Sequence, residues 1–93
     1  MKIVFKESFL KRLETQIEYI SLDSPQQARK FKNNILSRIK EIPSNPYKYR
    51  KSIYFNNPLI RDLIYKGYTI VFRISESRIE IFGFVHYHKN PTD

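Results

Sequence analysis

At 93 residues and 41% apolar content, the chain has room for one core made from two layers of secondary structure, so a single domain over residues 1–93 is expected. It holds no cysteine, which excludes disulfides, thiolate zinc sites and Cys-based nucleophilic catalysis, and no apolar run approaches the roughly 20 residues that cross a bilayer. Lys and Arg number 17 against 9 Asp and Glu, a net charge of +8 that serves solubility or suits a polyanionic partner, either nucleic acid or an acidic protein.

Met1–Lys6 is too short, and too polar afterwards, for a signal peptide, so a cytoplasmic protein without membrane contact is expected. Lys2–Lys6 alternates Ile3 and Phe5 with Lys2, Val4 and Lys6, the pattern of a short opening strand. Phe9, Leu10, Leu13, Ile17 and Ile20 then recur at spacings of three and four. They form one face of an amphipathic helix whose other face carries Lys11, Arg12, Glu14, Thr15 and Glu18.

The stretch Ser21–Gln27 stops that helix and starts another. Ser24 is placed to cap, Pro25 sits where its missing N–H costs nothing, and Gln27 completes a capping box. The second helix buries Ala28, Phe31, Ile35, Ile39 and Ile42 and ends at Pro43. Its opposite face holds Arg29, Lys30, Lys32, Arg38 and Lys40, with Glu41 as the only acid. The short link predicts an antiparallel helical hairpin. The basic stripe is either a solvated face or a surface for an acidic partner.

After Pro43-Ser44-Asn45-Pro46 comes an aromatic-basic loop, Tyr47-Lys48-Tyr49-Arg50-Lys51. Its Lys48, Arg50 and Lys51 could contact phosphate while the rings stack on bases, or the tyrosines could simply cover a helix end. Ser52–Phe55 reads as a short strand or extended segment, Asn56-Asn57-Pro58 as a turn, and Ile60–Tyr65 as a strand. Gly67 is placed for a positive φ that closes a hairpin into Tyr68.

The closing stretch Tyr68–Lys89 contains two β-rich runs around Ser75-Glu76-Ser77. In the first, Tyr68, Ile70, Phe72 and Ile74 share one face, and Thr69, Val71 and Arg73 the other. In the second, strict alternation sets Ile79, Ile81, Gly83 and Val85 against Glu80, Phe82, Phe84 and His86. The whole order predicts an α+β fold: an N-terminal strand and a helical hairpin packed on a C-terminal antiparallel sheet of three to four strands.

Chemistry is thinly represented. His86 and His88 share a strand face but lack a third ligand nearby, so no metal site is expected, and no Gly-rich phosphate loop implies a cofactor. General acid–base cleavage of RNA would need a base, an acid and cations for the phosphorane. His86, His88 and Tyr87 supply candidates for proton transfer, and Arg61, Arg73 and Lys89 for the cations; by residue type alone a frayed strand end and surface cations fit better.

From Pro25 to Pro91, with the opening strand and two amphipathic helices in order before and within it, the sequence resembles the RelE/ParE superfamily of toxins from type II toxin–antitoxin systems. The motifs are Asn45-Pro46-Tyr47, Ile60-Arg61-Asp62-Leu63, the run from Gly67 to Ile74, and the run from Ile79 to His86. RelE-like members cleave mRNA on the ribosome and usually place Arg directly after the tyrosine that opens the third strand; here Thr69 stands there. ParE-like members inhibit DNA gyrase and lack the nuclease cations. They often show an Arg like Arg61, a pair like Phe72-Arg73, and a final His like His86 followed by basic residues.

The resemblance is therefore closer to ParE. It implies a growth-inhibiting, plasmid-stabilising toxin that acts by binding gyrase, requires no cofactor, is neutralised by a cognate antitoxin and reaches operator DNA only through that antitoxin. His86-Tyr87-His88 is similar to the His-Tyr ending of YoeB-type ribonucleases. It keeps a ribosome-dependent mRNA interferase as the alternative, with Arg61, Arg73, His86, Tyr87, His88 and Lys89 as its residues.

Overall fold

The computed structural model describes residues 1–86. Its elements are β1 (Lys2–Phe5), α1 (Glu7–Asp23), α2 (Pro25–Lys40), β2 (Arg50–Lys51), β3 (Ile60–Tyr65), β4 (Tyr68–Ile74) and β5 (Arg78–His86), with single 3-10 turns at Ile42–Ser44 and Pro46–Lys48. The fold is α+β, as expected, with a five-stranded mixed sheet in the order β1-β5-β4-β3-β2.

The helix break works as its residues dictate. Ser24 Oγ accepts the N–H of Gln27 at 3.2 Å, and Pro25 occupies the first turn of α2. Only half of the expected capping box forms, because the Ser24 N–H is already donated to Ile20 O at 2.9 Å, closing α1. α1 begins without a side-chain cap on Lys6, but Glu7 lies in its first turn, where the helix dipole favours an anion, and pairs with Lys11 at 3.2 Å.

The meander β3–β4–β5 is antiparallel, as predicted, but the sheet has more strands than the meander alone. β1 joins it as an edge, parallel to β5, with Ile3 opposite Ile79 and Phe5 opposite Ile81. A parallel neighbour needs a long connection, which the intervening helices and strands supply. At the other edge, β2 comprises Arg50 and Lys51 alone, pairing with Asp62 and Arg61. Ser52–Phe55, expected as a short strand or extended segment, forms no strand and leads into a loop: Ser52 N–H still reaches Ile60 O, but Ile53 and Tyr54 donate to the side chains of Asp62 and Ser52.

The β3–β4 turn places Lys66 and Gly67 at φ 44° and 82°, with Tyr65 paired directly to Tyr68. Two consecutive positive φ values make a type I′ hairpin, whose twist matches that of the strands. Gly67 meets its expectation, and Lys66 accepts a conformation that L side chains adopt at a cost of about 1 kcal/mol or more.

A bulge corrects the expected strict alternation of β5. Val71 pairs with Gly83, but Phe72 pairs with Ile81, so Phe82 is an extra residue. Before the bulge Ile79 and Ile81 face the helices; after it Phe84 and His86 do, while Gly83 and Val85 turn to the other face. Gly83 is needed for this closeness, since a Cβ there would stand 2.8 Å from Val71 Cβ. α1 clasps the irregular segment: Ser8 Oγ donates to Phe82 O at 3.0 Å and an Arg12 N–H to Phe84 O at 3.4 Å.

One core results. Phe9 and Leu13 of α1, and Ile35, Ile39 and Ile42 along and just beyond α2, meet Leu63, Tyr65, Tyr68, Ile70, Phe72, Ile74, Ile79, Ile81 and Phe84 from the sheet. The inner, helix-covered face of the sheet is thus filled by every second residue of each strand, with the bulge resetting the count in β5. No helix among the described residues is long and apolar enough to cross a membrane.

Candidate functional site

Strand parity places the titratable residues on different surfaces. Arg61 pairs with Phe72, an inner-face position, whereas Arg73 pairs with Ile60 and Glu80 on the outer face. Arg61 is occupied: its Nε donates to Pro58 O at 2.8 Å and its Nη1 to Tyr49 O at 3.1 Å and Tyr47 O at 3.4 Å. Its guanidinium also lies 5.1 Å from the centre of the Tyr47 ring. These contacts fasten the Pro46–Lys48 turn and the start of β2 to β3.

His86 lies at the opposite end of the sheet. It pairs with Tyr68, and the two rings stack at 4.1 Å with 13° between their planes. Tyr68 Oη accepts from Gln16 Nε2 at 2.9 Å, and burial raises the phenol pKa against the opposing pull of that hydrogen bond. Lys11, Arg12, Thr15, Gln16, Phe84 and His86 line a shallow cleft of about 260 Å³ beside α1. Tyr68 and Arg73 stand near opposite ends of β4, roughly 17 Å apart at the usual strand rise. Arg61, Arg73 and His86 therefore share no concave surface. Tyr87, His88 and Lys89 lie outside the described residues.

The eight cations expected to form a binding surface also divide. Arg29, Lys30, Lys32 and Lys40 are exposed along α2, and Lys51 is exposed at the β2 edge. Arg38 is half-buried, its guanidinium carbon 5.9 Å from the centre of the Tyr65 ring, and Lys48 sits over Tyr49 at 5.3 Å. Burial, then the charge of Glu41, raises the pKa of Tyr49, while Arg38 opposes the rise. Arg50 pairs with Asp62 through Nε and Nη2, both at 3.1 Å from Oδ2.

Asp62 is the least expected polar residue. Its side chain is fully buried on the outer face, and Oδ2 also accepts the Ile53 N–H at 3.2 Å. A buried carboxylate needs such partners, so Asp62 orders both β2 and the loop that follows. That loop, residues 52–59, crosses the outer face and sets Phe55 edge-on against Phe82, with ring centres 5.5 Å apart.

Phe55 and Phe82 flank a cleft of about 320 Å³ that Ile60, Lys6, Arg73 and Glu80 complete. Lys6 holds Glu80 at 3.2 Å, and that bond is the main reason the Glu80 carboxyl lies below the ordinary value of 4.5. Ile53, Tyr54, Phe55 and Phe82 were not singled out by the sequence reading. The signal available was three consecutive apolar residues without alternation just before Asn56-Asn57-Pro58.

A family model described as ParE toxin of type II toxin–antitoxin system, parDE, matches residues 3–91. No curated protein sequence is significantly similar to the chain. Among solved structures, a chain of the chromosomal ParDE TA system from P. aeruginosa superposes with a TM-score of 0.77 at 18% identity, covering 95% of this chain and 97% of that one. At that identity the superposition speaks for the fold.

Proposed function

The chain belongs to the ParE toxin family of type II toxin–antitoxin systems, and on that premise we propose that it arrests growth by binding DNA gyrase and is held inactive by a cognate antitoxin. The observation that supports binding over cutting is the separation of the candidate nuclease groups among the described residues, Arg61, Arg73 and His86. Arg61 is bonded to three backbone carbonyls on the inner side of the sheet, Arg73 is outside, and His86 is stacked on Tyr68 at the far end. Acid–base cleavage of RNA needs a proton acceptor, a proton donor and a cation within reach of one phosphate.

Thr69, where ribonuclease members of the superfamily usually have Arg, is buried between Ile64 and Val85 and offers no charge. The +8 chain, with an exposed cationic row on α2, suits an acidic antitoxin segment.

Purified gyrase should lose supercoiling activity as the chain is titrated in, and regain it when the antitoxin is added. Unchanged supercoiling at high molar excess would sink the gyrase assignment. Codon-placed cuts in translated mRNA, abolished by His86→Ala, would replace it with the interferase reading.

A further inference from the structure

The outer face of the sheet carries a run of exposed apolar side chains beside a cleft. Ile53, Tyr54 and Phe55 are 68%, 47% and 45% exposed, a run of three large apolar side chains that the fold leaves in water. Their backbone is nevertheless tied down: Ile53 N–H is bound by Asp62, Tyr54 N–H by Ser52 Oγ, and the loop's return by Asn57, which accepts from Leu59 and Ile60. A loop ordered from beneath, with its aromatic side chains outward, meets a partner without a large ordering cost. Contiguous apolar surface rimmed by polar groups marks an interaction site, and aromatic residues with Arg are the usual anchors.

The rim has a definite charge. Glu80 is taken by Lys6 at 3.2 Å and, more weakly, by Arg78 at 4.0 Å. Arg73 is exposed and lies across from Glu80 in the strand pairing; among the described residues its charge acts on Glu80, but its side chain makes no close ion pair or hydrogen bond. Three cations against one acid leave this rim positive, and a second copy of a +8 chain would bring the same sign to it. The chemistry fits a protein segment that offers a bulky apolar side chain beside a carboxylate.

We propose that the cleft formed by Phe55, Ile60 and Phe82 docks such an acidic, apolar segment of the poisoned target protein, with the Arg73 guanidinium taking its carboxylate. This rests on the binding reading given above and adds to it the surface and the chemistry recognised. The antitoxin then holds principally to other surfaces, so target and antitoxin contacts are separable by mutation.

Arg73→Glu and Phe55→Ser, each at an exposed position, test this. The measurements are growth arrest on induction without antitoxin, gyrase supercoiling, retention of the full-length antitoxin on co-purification, and thermal melting. Arg73→Glu should weaken growth arrest and raise the half-inhibitory concentration at least tenfold, Phe55→Ser should weaken both effects, and antitoxin retention should stay as in the parent. Melting should be only slightly lowered, since one variant sets a carboxylate opposite Glu80 and the other removes a ring from Phe82. Full growth arrest by both variants overturns the proposal. So does joint loss of arrest and antitoxin retention in a variant that remains folded, because the face then belongs to the antitoxin.

If the parent arrests growth but leaves gyrase untouched, the gyrase assignment alone falls, and the growth arm still decides for or against this face. A parent chain that arrests nothing overturns both.

Discussion

The two faces of the sheet are built from alternate residues of the same strands, yet they solve different problems. The inner face is aliphatic and aromatic through its centre, with Arg61 and His86 only toward its ends, and both helices cover it, so Phe72, Ile70, Ile79 and Ile81 are fully sealed. The outer face is crossed by one loop, which buries the charged Asp62 and leaves Ile53, Tyr54 and Phe55 in solvent. Burial inside rests mainly on shape, whereas order outside depends on hydrogen bonds and on the Arg50–Asp62 and Lys6–Glu80 ion pairs. The lesson is a division of labour: the inner face holds the fold by packing, and the outer face orders a loop that leaves apolar side chains in solvent.

Three substitutions probe that division. Phe72→Ala should cost most, about 3–5 kcal/mol, because it empties a sealed site against Tyr49, whose ring meets Phe72 edge-on at 5.5 Å. Urea denaturation would measure it, and with typical domain stabilities of about 5–15 kcal/mol the variant should be close to unfolding. A loss under 1 kcal/mol would mean that the inner face is not the main support.

Asp62→Ala should cost less, about 1–3 kcal/mol, since it strands the Ile53 N–H while half-exposed Arg50 can return to water. Its signature is local. Limited proteolysis should cut near Tyr54-Phe55 faster than in the parent, while antitoxin retention persists. Uniform cleavage across the chain would instead make Asp62 part of the global support.

The smallest effect concerns acid. Glu80 has a folded-state pKa held below 4.5, first by the hydrogen bond from Lys6, with Arg78 and Arg73 adding charge. Its stabilising contribution is complete above the unfolded value and is lost as pH falls through the folded one. Glu80→Gln should therefore lower the melting temperature slightly at neutral pH and leave it unchanged near pH 2. An equal decrement at both pH values would show that packing, not ionisation, is responsible.

Much of this was legible in the linear pattern. The spacing in Phe9–Ile20 and Ala28–Ile42 identified both helices because a helix must bury one stripe, and Ser24-Pro25 marked their junction because its residues satisfy a helix start chemically. Gly67 announced its turn through its freedom at positive φ. The bulge at Phe82 was not legible: Phe82, Gly83 and Phe84 fit a plain alternation equally well, and only the pairing with Val71 and Phe72 shows where the count slips. Arg61 and Arg73 likewise read as two similar cations, and their separation onto opposite faces follows from strand parity plus the carbonyls that capture one of them.

The sequence by itself determined both helices, strands β1, β3, β4 and β5, most of the inner core and the family, since these depend on local periodicity and on motifs in order. Tertiary structure alone decided which edge β1 joins, that Asp62 is buried beneath a loop, and that Phe55 meets Phe82 beside an exposed Arg73. Those outcomes depend on contacts between residues far apart in the chain, where no local rule reaches.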